Sequence, residues 1–324
     1  MEQEINIVFQ GGLCSYLLHD QSKTLLVIQP KSSLDLFSCI KKNNSVIEEL
    51  LFKYGAILFR GFSVDSVSDF QANASLLVPD LFDYQNRSTP RTKVDAKVFT
   101  STEYPEEFII PLHNECSYSH LWPEKILFFC LIEPKVGGET PIANSHKVYN
   151  TISQSTVEKF VKKKVMYTRN YENNVGLSWQ EVFQTSNKNE VEKYCLEAEI
   201  KWEWLLQDKL RTKQIRPAVI KHPITGVNIW FNQAHLFNVY MLEKDIRKQL
   251  LDAYGEHNLP RNSYYGDGSP IEQSTLDEIS AAYNTNQFKF LWQKGDILLL
   301  DNILFSHGRM MFSGERKILV AMGK

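Results

Sequence analysis

Two short clusters, far apart in the chain, carry the residue types of a metal site. His113 and Glu115 lie two positions apart, and His307 lies near the C-terminus in the run from Asp301 to Arg309. Two imidazoles and one carboxylate are the ligand set of a facial site for non-haem Fe(II), which leaves three positions of an octahedral ion open. Those positions suffice for a bidentate 2-oxo acid and for O2, whereas a closed shell of four protein ligands would not leave them. The pattern predicts an oxygenase.

Apolar runs beside both clusters predict the strands that position these ligands. Residues 126–132 and 297–300 are each typical of a buried strand. In an extended segment, the side chains of His113 and Glu115 would leave the same side of the backbone. His307 must then come from a strand that is distant in sequence but adjacent in space. A His-x-Glu pair alone is weak evidence for a metal site, and the strands beside both clusters strengthen it.

Further motifs complete a recognisable pattern. Gly137-Gly138-Glu139-Thr140-Pro141 predicts a turn and a short extended piece, and Arg316 follows the second cluster. With His113-x-Glu115 and residues 301–309, they resemble the TauD/TfdA superfamily of Fe(II)/2-oxoglutarate-dependent dioxygenases over most of the chain. Within that superfamily the resemblance is nearest to the branch of clavaminate synthase and the syringomycin-pathway aspartyl hydroxylase. Members of this branch act on amino acids or amino-acid-derived groups in secondary metabolism.

The resemblance implies a role for each site residue. It makes His113, Glu115 and His307 the iron ligands, with 2-oxoglutarate and O2 as cosubstrates. Arg316 is implied to bind the distal carboxylate of 2-oxoglutarate, and Thr140 to help hold it. The role of Arg316 is physically sensible, because a planar guanidinium can bind a carboxylate through two parallel hydrogen bonds.

Two positions decide finer points of this assignment. Arg309 is a rival of Arg316, because it follows His307 by two residues and could face the iron side of the same strand. It would then bind either the cosubstrate or an anionic group of the substrate. Halogenases of the superfamily have a small residue at the position of Glu115, so the carboxylate there argues against halogenation.

The expected fold is mainly β with helical insertions. The resemblance implies a double-stranded β-helix, a jelly-roll or cupin-like core flanked by helices. At 324 residues the chain is predicted to form a single domain, 1–324, since all-β barrels routinely reach this length. A largely helical insertion at about 144–214 is predicted to cover the substrate. The turn-rich stretch 86–105, just before His113, is predicted to be an active-site loop or lid.

Local patterns predict further elements. Asp65 is predicted to cap a helix over 66–77, and Ser178 with Glu181 to form a capping box. The remaining predictions are strands at 56–60, 167–171 and 219–231 and helices at 45–54, 187–198, 243–254 and 274–283.

Other residues could contact a substrate. Arg169, between Tyr167 and Tyr171, could bind a substrate carboxylate or form a structural salt bridge. His235 could touch the substrate or serve the fold. Four more histidines are interpreted as surface or hydrogen-bonded structural residues: His120, His146, His222 and His257.

Composition narrows the partners and the compartment. The formal net charge is −2, and no basic run favours nucleic acid. The N-terminus lacks the pattern of a secretory signal, and no segment approaches the roughly 20 apolar residues that span a bilayer. Five scattered cysteines without a C-x-x-C spacing indicate reduced thiols. A cytoplasmic enzyme without a membrane partner is expected, and homo-oligomer formation stays open.

The chemistry leaves several outcomes open. Hydroxylation of an amino-acid-like substrate, free or presented on a carrier protein, is the default that the resemblance implies. Desaturation, epoxidation or cyclisation would use the same iron centre. Two other classes remain as alternatives, a zinc hydrolase with the same three ligands and a non-catalytic cupin-like binding module. Arg316 and Thr140 speak against both, because neither alternative needs a pocket for a five-carbon diacid.

Overall fold

The computed structural model describes residues 2–5, 7, 9–10, 13–20, 23–32, 34–82, 92–95, 97–101, 104–171 and 176–324. In chain order the strands are β1 Glu2–Ile5, β2 Leu13–Asp20, β3 Lys23–Pro30, β4 Ala56–Phe59, β5 Lys93–Asp95, β6 Val98–Thr100, β7 Ile110–His113, β8 Lys125–Ile132, β9 Val136–Gly137, β10 Ile142–Asn144, β11 Val165–Tyr171, β12 Ile200–Leu205, β13 Lys209–Arg216, β14 Val219–Lys221, β15 Asn228–Trp230, β16 Arg261–Tyr265, β17 Gln287–Phe288, β18 Ile297–Asp301, β19 Phe305–Arg309, β20 Phe312–Ser313 and β21 Lys317–Gly323.

Helices fill the connections. The α-helices are α1 Leu36–Tyr54, α2 Val67–Leu77, α3 Ser145–Thr151, α4 Gln154–Lys163, α5 Trp179–Phe183, α6 Lys188–Glu197, α7 Ala234–Phe237, α8 Lys244–Tyr254 and α9 Gln273–Asn286, and short 3-10 turns lie at Leu206–Asp208, Val239–Met241 and Glu256–Asn258. No helix in these residues is long and apolar enough to cross a membrane.

A large sheet forms the back of the molecule, with the strand order β1-β2-β3-β4-β18-β8-β21-β6-β5. Its central strands are apolar at consecutive positions because both faces are covered. On β8, Leu127 and Phe129 pack with α1 and α2 on one side, and Ile126 and Phe128 pack in a second core on the other. Continuous apolar runs were therefore the correct signal for these strands.

A small sheet of order β17-β10-β19-β7 faces the second core of the large sheet. Phe305 from β19, Phe288 from β17 and Ile142 from β10 are buried there with Ile126 and Phe128 of β8. A large and a small sheet, both mainly antiparallel, thus enclose one apolar layer. This is the jelly-roll arrangement that was predicted, and α1 and α2 flank it.

A third sheet, the cover sheet, has the order β12-β13-β11-β16. It packs through Tyr167 and Tyr265 on a core that also contains Leu112 of β7 and Trp230 of β15. The predicted region 144–214 supplies α3 to α6 but also β11, β12 and most of β13. Only the strand at 167–171 was predicted there, so the expectation of helices was incomplete.

Most local predictions are confirmed, with corrections at four places. The helix predicted at 45–54 is the second half of α1, which begins at Leu36. The cap of α2 is Ser66, which forms a capping box with Asp69, and not Asp65. Residues 219–231 form the hairpin β14–β15 instead of one strand. Of the predicted loop or lid at 86–105, the stretches 92–95 and 97–101 contain the edge strands β5 and β6, while 86–91, 96 and 102–103 lie outside the described residues.

Candidate metal centre and its pocket

His113 and His307 lie opposite each other on two paired strands. His113 ends β7, and His307 pairs with it from the middle of β19. A Cβ on Gly308 would lie 2.6 Å from the carbonyl oxygen of Ile110, so only glycine allows the two strands to approach this closely. The register shifts between His307 and Arg309. The two imidazoles, 194 positions apart in the chain, are therefore fixed side by side with ring centroids 4.7 Å apart.

Glu115 completes the group from a turn that follows β7. Its Oε2 lies 3.6 Å from Nε2 of His307 and 4.0 Å from Nε2 of His113. One ligand atom from each residue can be chosen so that all lie within 4.8 Å of one another, and all three side chains are buried. Sequence reasoning expected an extended segment here, but the strand ends at His113, and Cys116 has a φ of 57°. The turn, not strand alternation, aims the carboxylate.

Hydrogen bonding prepares the first histidine to coordinate a cation. The Nδ1–H of His113 donates to the carbonyl oxygen of Pro111 at 2.8 Å, because a carbonyl can only accept. The lone pair is thereby left on Nε2, the atom that faces Glu115. His307 packs its ring 4.9 Å from that of Phe128. Two imidazole nitrogens and a buried carboxylate oxygen in one cluster fit the donor preferences of Fe(II).

Two buried asparagines connect the segment that carries His113 and Glu115 to the segment 301–309 by hydrogen bonds. Asn302 accepts from the backbone N–H of Glu115 at 2.8 Å and donates to the carbonyl oxygens of Glu115 and Pro123. Asn114 donates to the carbonyl oxygens of Asn302 and Ile303. The sequence analysis assigned no role to either asparagine. Their role could have been inferred from an amide beside each ligand cluster in apolar surroundings, where polar groups need partners.

A pocket of about 370 Å³, including its open mouth, lies on this cluster. Besides His113 and His307, its lining includes the predicted cosubstrate residues Thr140, Arg309 and Arg316. The rest of the lining is Ser101, Ile110, Phe128, Gly308 and Ile318, none of which was predicted to contact a ligand. The sequence could not identify them, because all but Ser101 lie on strands whose pairing was unknown.

Arg316 presents an open guanidinium to the pocket. Its Nε donates to the carbonyl oxygen of Gly138 at 3.0 Å, and its Cζ lies 5.5 Å from the ring centroid of Phe312. Within the described part of the chain, its terminal nitrogens have no hydrogen-bond or ion-pair partner. Burial, and secondarily the charge of Arg309, lowers its pKa to about 10. A desolvated cation with its fork free is suited to an anionic ligand.

The Gly137-Gly138 turn brings Thr140 and Arg316 together. Both glycines have positive φ, and a Cβ on Gly138 would lie 3.0 Å from Cδ of Arg316. Thr140 is buried, and its Oγ1 accepts from Nε1 of Trp292 at 3.1 Å. The Thr140 hydroxyl can therefore still donate its own proton into the pocket.

Arg309 also lines the pocket, but its terminal nitrogens are engaged elsewhere. They donate to the carbonyl oxygens of Tyr104, Pro105 and Phe108 at 2.6 to 2.8 Å. The side chain therefore holds the segment 104–108 against β19. Of the two arginines, Arg316 is the one whose terminal nitrogens have no partner among the described residues and can bind a cosubstrate carboxylate.

The other residues singled out in the sequence fall outside this cluster. His235 is buried on α7, where its Nε2 bonds to the carbonyl oxygen of Leu112, and burial lowers its pKa to about 4. His222 donates from Nε2 to Asp301, since its Nδ1 accepts from backbone N–H groups. Both serve the fold, as was interpreted for His222. Arg169 lies on the inner face of the cover sheet.

Comparisons with known proteins agree with this geometry. The model of the family described as taurine catabolism dioxygenase TauD, TfdA family, matches residues 25–322. The chain is 44% identical over 276 residues to the dapdiamide synthesis protein DdaC of Enterobacter agglomerans, covering 85% of this chain and 84% of that protein. It is 31% identical to a clavaminate synthase-like protein of Arabidopsis thaliana over 91% of this chain and 89% of that one.

Solved structures show the same fold at low identity. PvcB of Pseudomonas aeruginosa, an Fe, α-ketoglutarate-dependent oxygenase from an isonitrile synthetic pathway, superposes with a TM-score of 0.56, 13% identity and coverage of 98% of this chain and 92% of that one. An asparagine oxygenase solved with Fe(II), 3-hydroxyasparagine and succinate has a TM-score of 0.52 at 14% identity, over 89% and 82% of the two chains. These findings favour the dioxygenase over the zinc hydrolase and the binding module. The chain belongs to the TauD/TfdA family of Fe(II)- and 2-oxoglutarate-dependent dioxygenases.

Proposed function

We propose that His113, Glu115 and His307 bind Fe(II) and that Arg316 and Thr140 bind the distal carboxylate of 2-oxoglutarate. The observation that carries this assignment is the close grouping of the three ligand atoms beside the open fork of Arg316 in one pocket. When bound, Fe(II) with 2-oxoglutarate and O2 supplies an oxidant for a substrate C–H bond, with succinate and CO2 as co-products. The reaction we propose is hydroxylation.

The chain's own residues orient the reactants and exclude water. Arg316 places the cosubstrate by a bidentate pair of hydrogen bonds, while Thr140 donates a third. Phe128, Ile110 and Ile318 supply apolar walls around the imidazoles. Apolar walls keep water from the reacting groups and prevent side reactions. Asn302 and Asn114 act as positioning residues, because they fix the turn that carries Glu115.

We propose an amino acid, or an amino-acid-derived group that a carrier protein presents, as the substrate. The support is the relative named for dapdiamide synthesis, together with the fold shared with an asparagine oxygenase. A role in secondary metabolism follows from the same likeness. Desaturation, epoxidation or cyclisation would need the same residues and would differ in how the substrate lies in the pocket.

Anaerobic titration with Fe(II) and 2-oxoglutarate tests the cofactor assignment. We expect a weak visible charge-transfer band in the wild type that His307→Ala abolishes and Arg316→Ala weakens. His257→Ala and Lys317→Ala are matched controls, since both side chains are exposed, and both should retain the band. Iron binding without a band in the wild type would refute the role of 2-oxoglutarate, and an unchanged band in His307→Ala would refute the ligand set.

A further inference from the structure

Thr140 lines the pocket with a hydroxyl that the fold engages from one side only. Its Oγ1 accepts from Nε1 of Trp292 at 3.1 Å, and the residue is 2% exposed. In the part of the chain that the structure describes, this is the only hydrogen bond of the hydroxyl. An indole N–H can only donate, so the hydroxyl proton cannot point towards Trp292. The proton is thereby left for an acceptor in the pocket.

Trp292 is itself buried and is fixed on both sides of its position in the chain. On one side, Nη2 of Arg60 donates to the carbonyl oxygen of Leu291 at 2.7 Å. On the other side, the carboxylate of Asp296 accepts from the backbone N–H of Gln293 at 2.8 Å. Arg60 and Asp296 form an ion pair with each other. Trp292 lies between these two anchors, so its backbone cannot shift without breaking one of them.

Thr140 is held from the opposite direction by its own neighbours in the chain. The carbonyl oxygen of Glu139 accepts from the backbone N–H of Met310 at 3.0 Å. The carbonyl oxygen of Pro141 accepts from the backbone N–H of Gly308 at 2.9 Å. Both partners of the indole–hydroxyl hydrogen bond are thus fixed by backbone contacts, and the direction of the hydroxyl is set before a ligand binds. Such preorganisation lowers the cost of ordering a site on binding.

We propose that Trp292 is a positioning residue for 2-oxoglutarate: by donating to Thr140, it directs the threonine proton to the distal carboxylate that Arg316 also binds. Consecutive hydrogen bonds polarise one another, so the indole N–H also strengthens the donation from the hydroxyl. This inference rests on the proposed function. It adds to that function a residue that acts on the cosubstrate only through Thr140.

Calorimetric titrations of the full chain, with Mn(II) bound, test the proposal without turnover. N-oxalylglycine is the probe with a distal carboxylate, and N-methyloxamate has the same chelating half but lacks that carboxylate. We expect Trp292→Phe to weaken the binding of N-oxalylglycine about fivefold, on the scale of one hydrogen bond, and that of N-methyloxamate less than about twofold. Trp230→Phe is the matched control and should bind both probes like the wild type, because Trp230 is fully buried and its Nε1 has no partner among the described residues.

A second background shows whether Trp292 acts through the threonine. Valine at position 140 keeps the shape of threonine but has no hydroxyl, so Trp292→Phe should cause no further loss of N-oxalylglycine binding in Thr140→Val. An equal loss in both backgrounds, or an equal loss for both probes, would mean that the indole only shapes the pocket and would overturn the proposal. A wild type that binds N-oxalylglycine no more tightly than N-methyloxamate would instead refute the cosubstrate assignment, and this inference with it.

The indole N–H of Trp292 gives an independent readout in the wild type. In protein with isotope-labelled tryptophan, its nuclear magnetic resonance signal is the one of six indole signals that Trp292→Phe removes. With diamagnetic Zn(II) in the metal position, we expect N-oxalylglycine to move this signal downfield, because a hydroxyl that donates becomes a stronger acceptor. N-methyloxamate should move it less. An unmoved signal at saturating N-oxalylglycine would show that Thr140 does not link the indole to the carboxylate.

Discussion

Two half-buried arginines, Arg60 in the jelly-roll core and Arg261 in the cover sheet, differ in the charge of the side chain beside them. In the core, Arg60 donates to Asp296, whose Oδ2 lies 2.6 Å from its Nη2. In the cover, Arg261 has Arg169 at the directly opposed position. Removing one partner from the core pair would leave a buried charge without compensation. The core charges stabilise the fold, whereas like charges at opposed positions of a sheet do not stabilise it.

The same contrast holds for the site itself. Below the pocket, Glu115 and the two histidines are fixed by backbone pairing and by the amides of Asn114 and Asn302. Above it, the cover sheet packs on the core, and beside it α7 is joined to β7 by the hydrogen bond of His235 with the carbonyl oxygen of Leu112, a contact that we call the seam. We therefore expect substitutions in the core to abolish the chemistry, and substitutions at the seam and the cover to change substrate use or stability.

The largest effect is expected for Glu115→Ala, because it removes the only anionic ligand of the proposed set. Succinate formation should fall by about a thousandfold or more, on the scale of losing an essential catalytic group. Fe(II) affinity, measured by anaerobic titration, should fall in parallel. Glu158→Ala, at an exposed position of α4, is the control and should keep full activity. Retention of more than a tenth of the activity in Glu115→Ala would show that the core does not depend on this ligand.

A pH effect at the seam comes next in size. Burial lowers the pKa of His235 to about 4 from an ordinary value of 6.5, and its Nδ1 is buried without a partner in the described residues. A depressed histidine pKa means that the unfolded chain takes up a proton first as the pH falls. Stability that is fully present above pH 6.5 is then lost between about 6.5 and 4, amounting to about 3 kcal/mol.

Urea unfolding at several pH values would measure this loss. His235→Gln can keep a donor for the carbonyl oxygen of Leu112 but cannot titrate. The variant should be less stable at pH 7. Between pH 6.5 and 4, however, its free energy of unfolding should depend less steeply on pH than that of the wild type, by the uptake of about one proton. His257→Gln, at an exposed position, should follow the wild type. Parallel curves for His235→Gln and the wild type would mean that this seam does not respond to pH.

Arg316→Gln should cost less than the loss of a metal ligand, because Thr140 and the metal would still hold 2-oxoglutarate. We expect the KM for 2-oxoglutarate to rise roughly tenfold to a hundredfold, since charge-assisted hydrogen bonds each contribute about 1.5–3 kcal/mol. Initial rates of succinate release at varied 2-oxoglutarate measure it, and Lys317→Gln is the neighbouring control. An unchanged KM would move the cosubstrate carboxylate to another group of the pocket.

The sequence predicted the core better than the cover for a physical reason. His113 with Glu115, and His307 with the glycine that follows it, sit in short motifs beside apolar strands, where local residues set the structure. Arg169 and Arg261 become neighbours only when β11 pairs with β16, 92 positions apart. No local sequence pattern predicts that pairing. The residues of β12 and β13, many of them charged, were interpreted as part of a helical region. A face shared by distant strands becomes visible only when register is known.

The smallest predicted effect concerns Arg309, where the two functions of an arginine can be separated. Because its fork holds the carbonyl oxygens of Tyr104, Pro105 and Phe108, Arg309→Lys should loosen that segment beside the pocket mouth. Lysine keeps the charge but loses the planar fork. We expect kcat/KM for the substrate that becomes oxidised to fall about fivefold, which corresponds to a loss of roughly 1 kcal/mol of transition-state stabilisation. The KM for 2-oxoglutarate should change less than about twofold. A larger change in the KM for 2-oxoglutarate than in kcat/KM for the substrate would instead make Arg309 a cosubstrate ligand.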